Sequence, residues 1–388
     1  MKYVDEFRDR KLCQTVLDRI LSRVTRCWTI MEVCGGQTHG LLRFGIEEAL
    51  RDKVELIHGP GCPVCVTSAT SIDAAIKLSF QPNTLVLTFG DMLRVPGSDL
   101  SLQQAKALGG NIQTVYSPMD AISTASLLPD KRIVFFAVGF ETTLPATAIA
   151  LLQAADKRLS NFFVLMSHVR VAPAMQYILE QPDCRINGFL AAGHVCTVIG
   201  IQDCVQLSEE FSIPIVVTGF EPLDLLLGIE ECVSLLERDQ RGVANHYRRV
   251  VADEGNTMAQ SLIVEVFEID DQEWRGLGQV RSGGYRLREK YQAFDAAKLL
   301  GEFKPAKWHI GFSDCTNRQP NDCRSAEVLI GKIKPTECPH FGKGCKPHSP
   351  MGAPMVSSEG ACAAYFQYTN FEPFESEKTN AGDSDGGV

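Results

Sequence analysis

Short apolar runs that end in a glycine or a polar turn recur along the first two thirds of the chain. Before them, residues 5–27 predict a helix, because apolar side chains recur every four positions from Leu12 to Val24 and line one face. Six runs follow, and each predicts a buried strand. They lie at residues 54–57, 84–89, 133–138, 162–166, 189–192 and 213–218.

Helix-like stretches such as 145–155 and 172–180 separate these runs. Strands that alternate with helices predict βαβ units and parallel sheets. The six strands are spread over too much chain for one small sheet, so we expect an α/β fold with two parallel-sheet domains. We place the N-terminal helix and the first domain at 1–125, and the second at 126–245.

The chain beyond about residue 245 is more polar, and residues 306–362 contain five cysteines. We predict a third, cysteine-rich domain at 246–372. The segment 373–388 is rich in Gly, Ser, Asp and Glu, a composition that predicts a disordered tail.

The composition is that of a folded protein, with 388 residues, 45% hydrophobic and 22% charged. Lysine and arginine number 38 and aspartate and glutamate 47, so the net charge is −9. An acidic chain without a basic block argues against nucleic acid as a partner. No signal peptide or long apolar run is visible, so we expect a cytoplasmic protein without a membrane partner.

Cysteine usage changes this picture, because the chain has 14 cysteines and cytosolic proteins rarely keep structural disulfides. Cysteines beside Gly and Pro therefore predict metal or redox sites. In MEVCGGQTH at 31–39, two glycines follow Cys34 and leave its sulfur unhindered. We expect Cys34 to ionise readily and to bind a metal, with His39 as a second ligand or proton partner. The alternative is a buried thiol at a tight turn.

A Cys-x-x-Cys pair forms the second motif, where HGPGCPVC follows a strand and opens a helix. Cys62 and Cys65 could cycle between dithiol and disulfide. The same pair could be half of a zinc site, although no second Cys-x-x-Cys accompanies it.

The third group is the C-terminal set of Cys323, Cys338, Cys345 and Cys362, with Cys315 as a spare candidate. Four thiolates among Gly and Pro suit a [4Fe–4S] cluster or a zinc site, and the spacing fits no standard ferredoxin pattern. Four unrelated cysteines are the alternative. His168 and His194 follow strand ends and are weaker candidates. No Walker or G-x-G-x-x-G motif predicts a nucleotide site.

Together these stretches resemble the HypD family of hydrogenase-maturation factors. The shared motifs are MEVCGGQTH, GPGCPVC, GFETTLP, AGHVCTVIG, CPHFGKGC and MVSSEGACAAY, and they cover nearly the whole chain. The resemblance implies two α/β domains plus a cluster domain. It also implies a scaffold for the Fe(CN)₂CO unit of [NiFe]-hydrogenases that works with a HypC-type chaperone and a HypE-type cyanide donor, and indirectly serves the hydrogenase large subunit.

The same resemblance implies roles for the cysteines of this chain. Cys34 would hold the iron that transiently carries CN and CO, and Cys62 and Cys65 would be a redox thiol pair. The four C-terminal cysteines would hold a [4Fe–4S] cluster. These roles predict an assembly scaffold with redox capability rather than a conventional turnover enzyme. Two alternatives stay open, an iron–sulfur oxidoreductase acting on a diffusible substrate and a zinc-stabilised binding protein.

Three positions depart from the family pattern. Gln37 stands where some members have histidine. Ser325 and Pro354 stand where the family often has two further cysteines, which form a redox-active disulfide beside the cluster. Our hypothesis is that this chain passes electrons from cluster to Cys-x-x-Cys without that relay, or uses the cluster otherwise.

Overall fold

Two parallel β-sheets carry the fold of the computed structural model, which describes residues 5–301 and 322–369. The strands are β1 (Trp28–Glu32), β2 (Val54–His58), β3 (Thr84–Thr88), β4 (Ile112–Thr114), β5 (Arg132–Gly139), β6 (Phe162–His168), β7 (Gly188–Ala192), β8 (Pro214–Thr218), β9 (Gly242–Asn245), β10 (Phe267–Trp274) and β11 (Gly278–Leu287).

Helices surround the two sheets. The α-helices are α1 (Arg10–Arg23), α2 (Gly35–Arg43), α3 (Ile46–Leu50), α4 (Pro63–Val66), α5 (Ala69–Ser79), α6 (Leu102–Ala107), α7 (Pro118–Leu127), α8 (Leu144–Asp156), α9 (Val171–Leu179), α10 (Gly193–Ile199), α11 (Gln202–Phe211), α12 (Pro222–Glu237), α13 (Thr257–Val266), α14 (Ala297–Gly301), α15 (Ser325–Leu329), α16 (Ala353–Val356) and α17 (Ala361–Thr369). Short 3₁₀ helices lie at Asp5–Arg8, Gly90–Arg94, Glu289–Phe294 and Pro335–Glu337.

The first sheet has the order β2-β1-β7-β8-β9, and the second has the order β4-β3-β5-β6. Every pairing within both sheets is parallel, which confirms the predicted α/β class. The chain leaves the first sheet after β2, builds the whole second sheet, and returns with β7. Sheet membership therefore does not follow the predicted division after residue 125, because the first sheet joins residues 28–58 to residues 188–245.

Both sheets are covered on both faces, which explains why the inner strands β1, β3, β5, β7 and β8 are buried at nearly every position. In the first sheet Ile30 packs into a core with Leu56 and α12, whereas its neighbour Met31 enters another core with α9 and α11. Neighbouring residues of the second sheet likewise enter two different cores. The strand β1 completes this arrangement, although the hydrophobic pattern did not predict it.

An antiparallel hairpin of β10 and β11 follows α13. In β10 the ends are buried and the side chains between them lie at least partly exposed, so the segment reads as polar in sequence. The hairpin reaches the Cys-x-x-Cys region, where the Arg275 N–H donates to the Val66 carbonyl oxygen over 2.8 Å. The side chain of Trp274 is buried beside it.

The described part of the C-terminal segment, residues 322–369, consists of short helices and turns. Leu329 packs into a core of the first sheet, whereas Ala353 and Val356 pack into a core of the second. The side chain of Arg185 donates to the carbonyl oxygen of Gly331 over 3.1 Å. None of the helices of residues 5–301 and 322–369 has the length and apolar character needed to cross a bilayer. Cys315 and the predicted tail at 373–388 lie outside the described residues.

Candidate functional site

Cys34 lies at the carboxyl end of β1 and caps the N-terminus of α2 with extended backbone. The first of the two glycines after it is required by close packing, because a Cβ on Gly35 would lie 2.2 Å from the carbonyl oxygen of Glu359. Glu359 belongs to the C-terminal segment, so this segment packs directly on the turn that holds Cys34. The turn lies at the carboxyl end of a strand, where the ligand sites of open α/β sheets are found.

The thiol of Cys34 is buried, with 4% exposure, and its sulfur lies 3.6 Å from Nδ1 of His194. Burial, followed by the negative charge of Glu32, raises the pKa of Cys34 to about 12. The expectation of a readily ionised thiol is therefore wrong for the structure as it stands. His194, a weaker candidate in the sequence, is a direct neighbour of the Cys34 sulfur, and the sequence pattern did not show this contact.

Cys62 and Cys65 form a disulfide, with their Cα atoms 5.2 Å apart, and the pair opens the short helix α4 as predicted. The loop before Cys62 touches the Cys34 turn. A Cβ on Gly61 would lie 2.2 Å from the backbone nitrogen of Cys34, so only glycine fits there. The first two cysteine motifs, which are separate in sequence, thus touch through their backbones at the carboxyl ends of β1 and β2.

The four C-terminal cysteines lie on the walls of one cavity with about 310 Å³ of empty space, part of it open to solvent. Among residues 5–301 and 322–369, no three His, Cys, Asp or Glu side chains are grouped so that they could hold a metal ion. Ser325 and Pro354, two of the three positions at which the sequence differs from the expected family pattern, line the same cavity. The lining residues that concern the site are Cys323, Ser325, Cys338, Cys345, Pro354 and Cys362.

One residue separates this cavity from the disulfide. The sulfur of Cys65 lies 4.0 Å from the carbonyl oxygen of Ala353, and the two neighbours of Ala353, Gly352 and Pro354, line the cavity. A Cβ on Gly352 would lie 2.4 Å from the sulfur of Cys323. The Cys-x-x-Cys pair therefore stands between the Cys34 turn and the four-cysteine cavity.

His39 is half-buried on α2, and its two ring nitrogens face the C-terminal segment. Nδ1 lies 3.2 Å from the hydroxyl oxygen of Tyr368, and Nε2 donates to the carbonyl oxygen of Ser358. These bonds hold α2 against the segment that carries the C-terminal cysteines. A ligand or proton-transfer role for His39 stays a prediction.

A buried polar chain lies beneath Cys34. Glu32 accepts a hydrogen bond from the Cys34 N–H over 2.7 Å and another from the Thr38 hydroxyl, and it lies 2.7 Å from Nδ1 of His58. On its other side, Nε2 of His58 lies 3.1 Å from a carboxylate oxygen of Glu47. Sequence reasoning missed this chain; its one local signal is an acidic residue inside an apolar strand two positions before Cys34.

The C-terminal segment completes the chain at Glu47. The Tyr365 hydroxyl donates to Glu47 over 2.6 Å and lies 3.2 Å from Nε2 of His58, and Lys334 donates to the same carboxylate over 2.5 Å. Burial opposes a charge on His58, but the hydrogen bonds to Glu32 and Glu47 prevail and raise its pKa to about 9. Burial likewise opposes the charge of Glu47, yet His58 and Lys334 lower its pKa to about 2.

We expect the free energy of unfolding to fall as the pH rises from about 6.5 to about 9. The pKa of His58 is raised on folding, so its protonation stabilises the fold fully below the unfolded value of about 6.5 and the contribution is lost through about 9. The loss should be on the order of 3 kcal/mol. Urea denaturation at a series of pH values measures it.

The variant His58→Gln is the control for this pH dependence, because glutamine does not titrate. Its unfolding free energy should be lower at pH 6.5 and should change less between pH 6.5 and 9. An equal slope in wild type and variant would show that other groups cause the effect.

These features define a cysteine-rich α/β protein that gathers a free thiol, a disulfide-forming pair and a four-cysteine cavity at the edge of a parallel sheet. A family model described as "HypD: Hydrogenase formation hypA family" matches residues 11–369. The chain belongs to the HypD family.

Three curated relatives illustrate the similarity, and each is named hydrogenase maturation factor HypD. The protein of Escherichia coli (strain K12) is 44% identical over 96% of this chain and 99% of its own length. That of Rhodobacter capsulatus is 42% identical over 95% of this chain and 98% of its own. That of Rhizobium leguminosarum bv. viciae is 44% identical over 96% of both chains.

Proposed function

We propose that this chain is a hydrogenase maturation factor that serves as the scaffold on which the Fe(CN)₂CO unit of a [NiFe]-hydrogenase is assembled. One observation carries the proposal: three kinds of thiol site are contiguous. The Gly61 backbone touches Cys34, and the sulfur of Cys65 lies 4.0 Å from Ala353, between two residues of the four-cysteine cavity. The family membership and the names of the relatives support it.

In this proposal Cys34 holds the iron that is being assembled, which is the cargo of the scaffold. The thiol is buried next to His194, and burial favours its neutral form. A metal cation at the sulfur reverses that preference, because it stabilises the thiolate. Soft thiolate ligands suit low-valent iron. Cys34 is thus positioned to bind iron and to remain protonated without it.

Cys62 and Cys65 are proposed as a redox pair beside this site. Opening their disulfide consumes two electrons and two protons and yields two thiols. The contact of the preceding loop with the Cys34 turn places this chemistry next to the iron-binding thiol.

The four C-terminal cysteines are proposed to hold a [4Fe–4S] cluster. Four thiol side chains line one cavity, and thiolates are the usual cluster ligands. Among the described residues these thiols are not grouped around a single-ion site, so the proposal is for the larger four-iron group. When bound, the cluster supplies one-electron redox chemistry. Ser325 and Pro354 occupy the same cavity without a sulfur, so this chain would work there without a second thiol pair.

The partners follow from the same proposal. They are a HypC-type small chaperone, a HypE-type cyanide donor and, indirectly, the hydrogenase large subunit, with the assembly taking place in the cytoplasm. The net charge of −9 gives no support to a nucleic-acid partner.

Metal analysis after anaerobic purification tests the cluster. We expect about four iron and four sulfide per chain with broad absorbance near 400 nm, a composition expected for a thiolate-bound [4Fe–4S] cluster. Cys338→Ala removes one proposed ligand and should lose both the iron and the colour. Cys27→Ala, which removes an exposed thiol away from the cavity, should keep them. One zinc per chain, or no metal, would instead favour structural cysteines.

A further inference from the structure

The polar chain beneath Cys34 connects two parts of the molecule that are far apart in sequence. At one end Glu32 accepts from the Cys34 N–H over 2.7 Å, and it also accepts from the Thr38 hydroxyl one turn along α2. At the other end Glu47 accepts from Lys334 and Tyr365, which belong to the C-terminal segment. Between these ends stands His58, which is 2% exposed and bonded on both ring nitrogens.

Acidic and basic side chains are paired along this chain. Two acidic residues, Glu32 and Glu47, face the basic residues His58 and Lys334. Removal of one member of a buried ionic network leaves an uncompensated charge, which is strongly destabilising. A fully satisfied polar network also favours a single arrangement of its members. The carboxylate of Glu32 is therefore held in one orientation, and so is the Cys34 N–H that it binds.

We propose that Glu32, His58 and Glu47 are positioning residues that fix the turn carrying Cys34, and that docking of Lys334 and Tyr365 completes them. The segment that carries the C-terminal cysteines thus helps set the direction of the Cys34 sulfur. His58 does not touch that sulfur and acts through Glu32. The inference rests on the proposed function only in that it makes Cys34 the iron-binding thiol; the geometry stands without it.

The test measures how fast each buried thiol reacts with N-ethylmaleimide in the full-length protein, by mass spectrometry of the labelled peptides. Cys34 is 4% exposed, so it reacts when its turn opens locally. Cys232 is fully buried in the helix α12 and is the internal reference, because it reacts only when that core opens. The ratio of the two rates separates loosening of the Cys34 turn from general destabilisation.

Two substitutions of His58 each keep one of its two hydrogen bonds and remove the other. Asparagine places an amide near the position of Nδ1 and keeps the bond to Glu32, whereas glutamine reaches the position of Nε2 and keeps the bond to Glu47. Tyr365→Phe is a milder variant, since the ring packing on His58 at 5.3 Å remains and only the hydroxyl is lost. Glu230→Gln, which weakens the bidentate pair with Arg19 on α1, is the matched control.

In His58→Gln we expect the ratio of the Cys34 rate to the Cys232 rate to rise roughly tenfold or more, a size typical of losing one hydrogen bond to a charged group. His58→Asn and Tyr365→Phe should give smaller rises, and Glu230→Gln none. A parallel rise at both cysteines, or no rise at Cys34, would overturn the positioning role. The measurement needs no iron and no partner, so it is independent of whether the proposed function is correct.

Discussion

Cys34→Ala is expected to abolish hydrogenase maturation while leaving the protein folded. The substitution removes the buried thiol that we propose as the iron ligand and leaves the N–H bond to Glu32 in place. Loss of a residue that merely orients a metal ligand typically costs about 10–100-fold, so loss of the ligand should cost more. The measurement is hydrogen uptake in cells that lack their own family member and express the variant.

A matched control separates this effect from the loss of a buried side chain. Cys232 is as deeply buried as Cys34 and lies in α12, away from the sheet edge. Cys232→Ala removes the same atoms at a similar cost in stability, about 1–2 kcal/mol, and should leave hydrogen uptake near the wild-type level. Uptake that survives in Cys34→Ala would refute Cys34 as the assembly thiol.

Gly61→Ala should disrupt the contact between the first two cysteine motifs. The added Cβ would lie 2.2 Å from the Cys34 nitrogen and 2.3 Å from the carbonyl carbon of Val33, and backbone atoms cannot move aside as a flexible side chain can. We expect the free energy of unfolding to fall by about 3 kcal/mol, the upper end of the usual range for overpacking. Urea denaturation measures this change, and hydrogen uptake should fall with it because the two motifs separate.

Gly90→Ala is the control for Gly61→Ala, since a Cβ at Gly90 meets no atom within 4 Å. It should leave both stability and hydrogen uptake close to those of the wild type. If Gly61→Ala proved equally mild, the close packing of the Cys62 loop on the Cys34 turn would be incorrect.

The strands of both sheets could be predicted where the chain contains a run of apolar residues. Residues 84–88, for example, are buried at all five positions because helices cover both faces of the second sheet. The order of the strands could not be predicted, since it depends on the return of β7, which begins at Gly188, to a sheet that begins at Trp28. The hairpin β10–β11 also escaped prediction, because its partly exposed side chains make it look like a polar loop.

The cysteine motifs marked the site in the sequence, whereas the groups around them did not. Glu47 lies on α3 beside an exposed Glu48, so it reads as a surface carboxylate until the tertiary fold brings His58 and Tyr365 to it. In the sequence, the buried Glu32 is visible only as an acidic residue that interrupts an apolar run. Residues of this kind can be recognised only from their contacts with distant segments. The pattern within one segment carries no information about those contacts.

The interrupted first sheet has a consequence for protein synthesis. The strand that leads to Cys34 pairs with β7, so its sheet is incomplete until residues 188–192 have left the ribosome. Lys334 and Tyr365, which close the polar chain, emerge later still. Contacts so distant in sequence form late. The nascent polypeptide therefore has no finished polar chain beneath Cys34 until these residues have been made, and the metal loading that we propose must wait for them.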